Sequence, residues 1–385
     1  MGGFGFTEEQ EMFRREVQSF ARRELAPGAK ERAKKEDFPY ENLKKLGDAG
    51  FLGISVPEEY GGQHGDWISV GIVVEELSKV DMLAGLLPLF PNGAHLMLRE
   101  SSEEVRKEWI PPLVTGDKLG CFALTEPDCG SDAVAMQMKA VRDGDYYVLN
   151  GEKTSVTLGM PADMATVFAK TDPAAGARGI TCFIIPLTLP GISRSRFSDM
   201  GPGWKPISRA SFIMDNVRVP SKYLIGGEGK GFYLAMGEMD FIRIGMALAP
   251  LAQAQTSLTE AIDYAKQRTA FGRPIAKFEG VSFKLAEAAT TIEAARLLCY
   301  RTLWLMDQGL AHTKETAMCK WWCPQVAVRI IHDCLLVFGH VGYCEDYPVE
   351  QRLRDAIGFE IGDGTADIMK IIIARELLGR EFLPY

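Results

Sequence analysis

At 385 residues the chain has material for a large core and for two or three domains. Hydrophobic content of 46% and charged content of 24% belong to a globular protein and exclude a disordered or fibrous chain. A formal net charge of -8 argues against nucleic acid as the main partner. No run is read as a membrane-spanning segment. The opening Met-Gly-Gly-Phe-Gly-Phe-Thr lacks the basic and apolar regions of a secretory signal, so a cytoplasmic location is expected. The eight cysteines are scattered. Cys319 and Cys323 can share a helical face, but no further pair completes a zinc set, so free buried thiols and no metal are expected.

Thr7 reads as the N-cap of a first helix, with Met12, Phe13, Val17, Phe20 and Ala21 at helical spacing up to about Pro27. Further helices are predicted over 39–49, 67–79, 85–99 and 103–114, which makes 1–117 an all-helical domain. Short strand-like runs bounded by Gly, Asp, Asn and Pro then begin at Gly120, with turn signals at Asp143-Gly144 and Asn150-Gly151. Residues 118–228 read as a small antiparallel β-domain. From 229 to 385 long helices return, predicted over 232–263, 278–307, 313–338 and 363–380, which suggests an antiparallel four-helix bundle. The fold class is therefore α+β and mostly α.

Several stretches invite chemistry. Gly362-Asp363-Gly364-Thr365-Ala366-Asp367 puts one acid on a tight loop where backbone can approach a ligand. The same residues also suit a plain helix start, with Asp363 near the N-cap and Thr365 and Asp367 in the first turn. Leu124-Thr125-Glu126-Pro127-Asp128-Cys129-Gly130-Ser131-Asp132 gives a loop with exposed N–H groups and a hydroxyl, fit for a polar ring edge or a pyrophosphate, or else a simple polar turn. Arg268 and Phe271 beside a Gly-Pro turn can hold a phosphate and stack a ring, though an Arg at a helix end is also a routine cap. Gly227 to Gly231 is a weak phosphate signal, and no strand-Gly-x-Gly-x-x-Gly-helix fingerprint is present. Asp240 and Arg243, three apart, read alone as a solvated helical pair.

Asp363-Gly364-Thr365 followed by Ile368 and Ala374-Arg375 resembles the active-site stretch of the acyl-CoA dehydrogenases, and the resemblance runs from about Thr7 to Arg380. It implies a helical domain, a β-domain and a four-helix bundle, with FAD as cofactor. Asp363 would be the base for the α-proton, and the backbone at Asp363-Gly364 part of the carbonyl's oxyanion site. The run 124–132 resembles the family's Thr-Glu-Pro-x-x-Gly-Ser-Asp signature, which implies flavin contacts from Phe122, Leu124, Thr125, Gly130 and Ser131. Thr157 matches the hydroxyl near flavin N5, and Ser155 stands where a tryptophan usually covers one flavin face. Arg268 and Phe271 match a contact with the FAD of a neighbouring subunit, and Gly339 and His340 the contact with the adenine end. Thr365 and Asp367 belong to the same cofactor set. Asp240 and Arg243 match the helix against the pantetheine arm of CoA. Ser131, Gly362 and the stretch Leu86 to Phe90, with Pro88 and Phe90, are expected on the substrate side.

The resemblance implies an acyl-CoA dehydrogenase: α-proton removal by Asp363 and hydride transfer to FAD, with electron-transfer flavoprotein or a similar acceptor and a homotetramer. Rivals are a nitroalkane oxidase-like flavoprotein, which also uses Asp, and a scaffold that has lost catalysis. Asp363 replaces the family's Glu, so its carboxylate retreats by roughly 1.5 Å, one C–C bond. Gly362 and Ser155 both remove bulk nearby, and the 86–90 stretch carries no acid to act as a second base. An alicyclic acyl group such as cyclohexane-1-carboxyl-CoA, dehydrogenated at the 1,2 bond, answers these departures. A linear or short branched chain remains the alternative.

Overall fold

A computed structural model describes residues 5–92, 94–197 and 204–383. The first four residues of the opening motif, and position 93 of the helix expected over 85–99, lie outside them. Helix α1 (Glu8–Phe20) starts on a full capping box, in which Thr7 and Gln10 satisfy each other's backbone N–H groups. Short helix α2 (Ala29–Lys34) and helix α3 (Tyr40–Asp48) follow. Helix α4 (Trp67–Ser78) is buried along nearly its whole length. The expected helix over 85–99 is instead three pieces, α5 (Met82–Leu86), α6 (Leu89–Asn92) and α7 (His95–Glu100). Pro88 interrupts the first junction, because proline lacks an N–H and restricts the residue before it. Helix α8 (Glu103–Val114) closes the first helical region.

The middle region is one sheet of strands β1 (Gly120–Ala123), β2 (Lys139–Asp143), β3 (Tyr146–Val156), β4 (Met164–Lys170), β5 (Ile180–Pro186), β6 (Ile192–Arg196), β7 (Ala210–Pro220) and β8 (Leu224–Ile225). The order is β6-β7-β3-β2-β4-β5-β8, with β1 joined to β4. Pairing is antiparallel except that β1 and β2 each meet β4 in parallel. The β2–β3 hairpin separates β1 from β4 in sequence and supplies the crossover that a parallel pair needs.

Helices α9 (Gly231–Gln267), α10 (Glu279–Asp307), α11 (Thr313–Phe338) and α13 (Ala366–Leu378) form the final bundle. A fifth helix, α12 (Val349–Ile361), lies between the last two. Its buried face includes Arg352 and Asp355, so the apolar period in the sequence is broken. Arg352 pairs with Glu260 at 2.6 Å, while Asp355 accepts on Oδ2 from Gln351 at 3.3 Å and its Oδ1 is buried without a partner among the described residues. Gly358 packs where an added Cβ would lie 2.9 Å from the Trp204 ring, so the close approach needs glycine.

The segment Thr313–Tyr343, which contains α11, is long and apolar enough to cross a membrane by length and composition, contrary to the sequence reading. Here it packs against α9, α10, α12 and α13. Its length and apolarity serve a bundle centre. The N-terminal helices and the bundle share one hydrophobic core, which runs from Val17 through Leu77 and Leu248 to Phe359. The sheet has its own core, closed on one side by Trp109, Ile110 and Leu113 of α8.

Candidate active site

The loop between α12 and α13 is held in an unusual backbone form. Asp363 has φ of 56° and Gly364 φ of 101°, both left-handed. For Asp363 that conformation is strained, and it persists only because its surroundings fix it. Two buried cations do so. Arg243 Nε of α9 donates to the Asp363 carbonyl at 3.1 Å. Lys320 Nζ of α11 donates to the Phe359 carbonyl at 2.7 Å and the Gly364 carbonyl at 3.1 Å, and so brackets the acid. Lys320 is 1% exposed. Burial pushes its ammonium down to about 8, against the pull of Asp363. Among the described residues the Asp363 N–H finds no acceptor, which leaves a donor free beside the carboxylate. The N-cap of α13 is Thr365, whose hydroxyl accepts from the Ile368 N–H at 3.4 Å. Asp363 is therefore not the cap that one reading of the sequence made it. Asp367 is exposed and pairs with Lys370 at 3.1 Å.

Asp240 and Arg243 are not a solvated pair. They are 8% and 5% exposed and 3.7 Å apart. Asp240 accepts from Thr313 at 3.0 Å and lies 3.7 Å from His312, at the start of α11. Burial raises the Asp240 pKa above the ordinary carboxylate value and lowers that of Arg243.

A second group lies on the β-domain. The Thr154 N–H donates to the Thr125 carbonyl at 2.9 Å, which brings the end of β3 beside the end of β1. Phe122, Leu124, Thr125, Ser155 and Thr157 are all half-buried there. The loop below is braced by a pair missed in the sequence. Lys153, fully buried, donates to Glu126 at 2.8 Å and to the Leu124 carbonyl at 3.0 Å. Glu126 also accepts the N–H groups of Gln137 and Met138. Gly130 and Ser131 are left exposed at the loop's tip. Lys153 follows exposed Glu152 in β3, and nothing local in the sequence marks which of the two charges turns inward.

Arg209, which precedes β7, is another residue missed by sequence reasoning. Its Nη1 donates to Ser155 Oγ at 3.2 Å, and its guanidinium lies 5.5 Å from the Trp204 ring centre. Its Nε is buried without a partner. Burial lowers its pKa, while the Asp363 charge acts to raise it. An added Cβ at Gly362 would lie 3.8 Å from Arg209 Nη2. The space left by small Ser155 and Gly362 is thus shared with this guanidinium and is not wholly free for substrate.

A cavity of about 60 Å³ lies between the N-terminal helices, the sheet and α9, lined among others by Leu89, Phe90, Phe122, Thr166, Glu238 and Ile242. Pro88 and Leu89 are buried and Phe90 is half-buried. The 86–90 stretch has no acid, as read from the sequence, yet a carboxyl does line the cavity: Glu238, from α9. Burial pushes it up to about 8, so it is neutral at pH 7.

The third group, Arg268, Phe271, Gly339 and His340, is exposed on the bundle, with Phe271 96% exposed. Phe271 and Leu336 line one groove. His340 Nε2 lies 3.9 Å from the Cys344 thiol.

These groups fit a flavin nucleotide. The loop at Gly130–Ser131 offers N–H groups with no backbone acceptor among the described residues, Thr125 and Thr157 offer hydroxyls, and Arg268 with Phe271 offers a cation and an exposed ring. Fold and site together define the class, a flavin-dependent oxidoreductase built of a helical region, a sheet and a helix bundle. Models of the acyl-CoA dehydrogenase N-terminal, middle and C-terminal domains match residues 7–117, 121–217 and 229–378. The chain belongs to the acyl-CoA dehydrogenase family and is FAD-dependent. It is 41% identical to an acyl-CoA dehydrogenase of Bacillus subtilis, over 97% of this chain and 99% of that one. Identity is 39% to a short-chain specific acyl-CoA dehydrogenase of Clostridium acetobutylicum, over 97% and 99%. Among solved structures, butyryl-CoA dehydrogenase of Megasphaera elsdenii superposes with a TM-score of 0.94 at 35% identity, covering 98% of this chain and all of the other. A chain from a study of the electron transferring flavoprotein of Acidaminococcus fermentans superposes at 0.95 with 39% identity, covering 98% and 100%.

Proposed function

We propose that this dehydrogenase removes the α-proton of an acyl-CoA with the Asp363 carboxylate and favours an α-branched or alicyclic acyl group, with cyclohexane-1-carboxyl-CoA the leading candidate. The observation that carries the reading is the Asp363 loop: a carboxylate beside an unpaired N–H, its backbone held by Arg243 and Lys320. The N–H supports a thioester oxygen as the α-proton leaves, and the buried cations favour the negative charge that develops. The Cα–H electron pair becomes the new double bond. The residues at Thr125, Ser155 and Thr157 would hold FAD, which would supply the acceptor for the β-hydrogen and its electron pair.

The short Asp side chain asks for a substrate whose α-carbon lies closer to the base, because misplacement of about 1 Å can cost on the order of 100-fold in rate. A ring at Cα is wider and meets that need, while Leu89, Phe90 and Ile242 provide hydrocarbon walls. A short linear acyl group is the second reading, favoured by the short-chain and butyryl-CoA relatives. An electron-transferring flavoprotein is the proposed acceptor. The protein is further read as a homotetramer, because the exposed Phe271 and Leu336 suit a neighbouring subunit and its FAD.

The test is kcat/KM on cyclohexanecarboxyl-CoA, isobutyryl-CoA, butyryl-CoA and octanoyl-CoA, read by flavin bleaching after loading with FAD. Preference for either branched substrate supports the proposal. Preference for butyryl-CoA or octanoyl-CoA overturns the alicyclic assignment and leaves the dehydrogenase.

A further inference from the structure

Two residues at which this chain departs from its family, Ser155 and Gly362, face the same side chain. Arg209 Nη1 bonds Ser155 Oγ at 3.2 Å, and Arg209 Nη2 is the side-chain atom nearest the empty Cβ position of Gly362, at 3.8 Å. We propose that Arg209 replaces the missing tryptophan at the flavin and carries a fixed positive charge between the bound flavin and Asp363. The inference rests on the reading of Ser155 and Asp363 as cofactor and base positions.

The physical case has three parts. First, Arg209 is braced and cannot swing freely: Trp204 lies beneath its guanidinium at 5.5 Å, and Trp204 is itself fixed by its Nε1 donating to the Asp355 carbonyl at 3.1 Å. Second, the charge is under-compensated. Among the described residues it forms no ion pair within 4.0 Å, its Nε is buried and unpartnered, and only the more distant Asp363 acts to keep it charged. A buried donor without an acceptor is costly, so its retention beside Ser155 calls for a role in the site. Third, guanidinium is planar and weakly hydrated, and it stacks on flat rings as an indole does. It differs from indole in charge. A cation close to a flavin favours the electron-rich reduced form, so Arg209 makes the bound cofactor a stronger oxidant.

The remaining charges around Asp363 do not duplicate this role. Arg243 is paired with Asp240 and Lys320 is committed to two carbonyls, with Glu360 the other acid in range. Arg209 alone is tied to the β-domain side, where Ser155 and Thr157 lie.

The experiment is a spectroelectrochemical titration of the FAD-loaded wild type, Arg209→Met and Arg209→Lys, with sulfite binding to the oxidised flavin as a readout independent of turnover. Arg209→Met is expected to shift the two-electron equilibrium toward oxidised flavin at least tenfold, which is about 30 mV more negative. It is also expected to weaken sulfite binding, with Arg209→Lys recovering much of both. Unchanged potential and sulfite affinity in an FAD-loaded Arg209→Met protein overturn the inference and leave the dehydrogenase reading intact. Should Arg209→Met fail to fold, Arg209→Lys and Arg209→Gln decide it: equal potentials in that pair also overturn it. A wild type that takes up no FAD refutes the underlying site reading instead.

Discussion

Glu238 makes the protein's stability depend on pH in a way that one substitution removes. Its carboxyl is buried in the apolar cavity and titrates at about 8 in the fold, against 4.5 for the free side chain. Between those values the folded protein keeps a proton that the unfolded chain has released. Stability is therefore full below about 4.5 and falls as pH rises toward 8. The slope is about 1.4 kcal/mol per pH unit, so the wild type loses about 2.7 kcal/mol between pH 5.5 and 7.5 from this group. Glu238→Gln keeps the shape and the amide can still accept from the Leu96 N–H, but it has nothing to ionise. At roughly 2 cal/mol/K per residue of unfolding entropy, 2.7 kcal/mol corresponds to about 3 °C for a chain of this length. The assay is thermal unfolding of both FAD-loaded proteins across that range in matched buffers. The melting temperature of Glu238→Gln is expected to gain about 3 °C on the wild type from pH 5.5 to 7.5. A constant difference would refute the argument, because it would mean that Glu238 titrates alike in both states.

Asp363→Asn is expected to retain FAD and lose substrate-dependent flavin bleaching by at least about 100-fold, the usual worth of a positioned base; stopped-flow reduction checks it. Lys320→Met strands the Phe359 and Gly364 carbonyls in a buried site, with an expected loss of about 2 kcal/mol in urea unfolding and slower bleaching as the Asp363 loop relaxes. Glu75 sits at 5% exposure with Arg296 at 2.7 Å and is held down to about 2. Glu75→Gln removes the charge that faces Lys79 at 3.7 Å and the half-buried Arg296, and is expected to cost about 3 kcal/mol. The cost is present above pH 4.5 and closes as pH falls through about 2, which acid unfolding of both proteins measures.

The sequence by itself determined what is local or periodic. The capping box at Thr7 is legible because it is a contact three residues long. Helices α8, α10 and α11 are legible because their buried faces repeat with the helix. The candidate base was legible because Asp363 lies in a contiguous run whose pattern resembles the family's. Helix α12 was missed because Arg352 and Asp355 occupy its buried face, and their partners lie on other parts of the fold or a turn away. Tertiary structure alone decided which distant side chains meet. Lys320 is 43 residues before Asp363 and Arg243 is 120 before it, yet both grip its loop, because α9 and α11 pack side by side beneath it. Arg209 lies 54 residues after Ser155 and 153 before Gly362. Strand pairing of β3 with β7 carries it to the first, and docking of Trp204 against α12 carries it to the second. A burial pattern along one chain records that a position is inside; it holds no record of which charge stands opposite, and the chemistry of this site is set by that pairing.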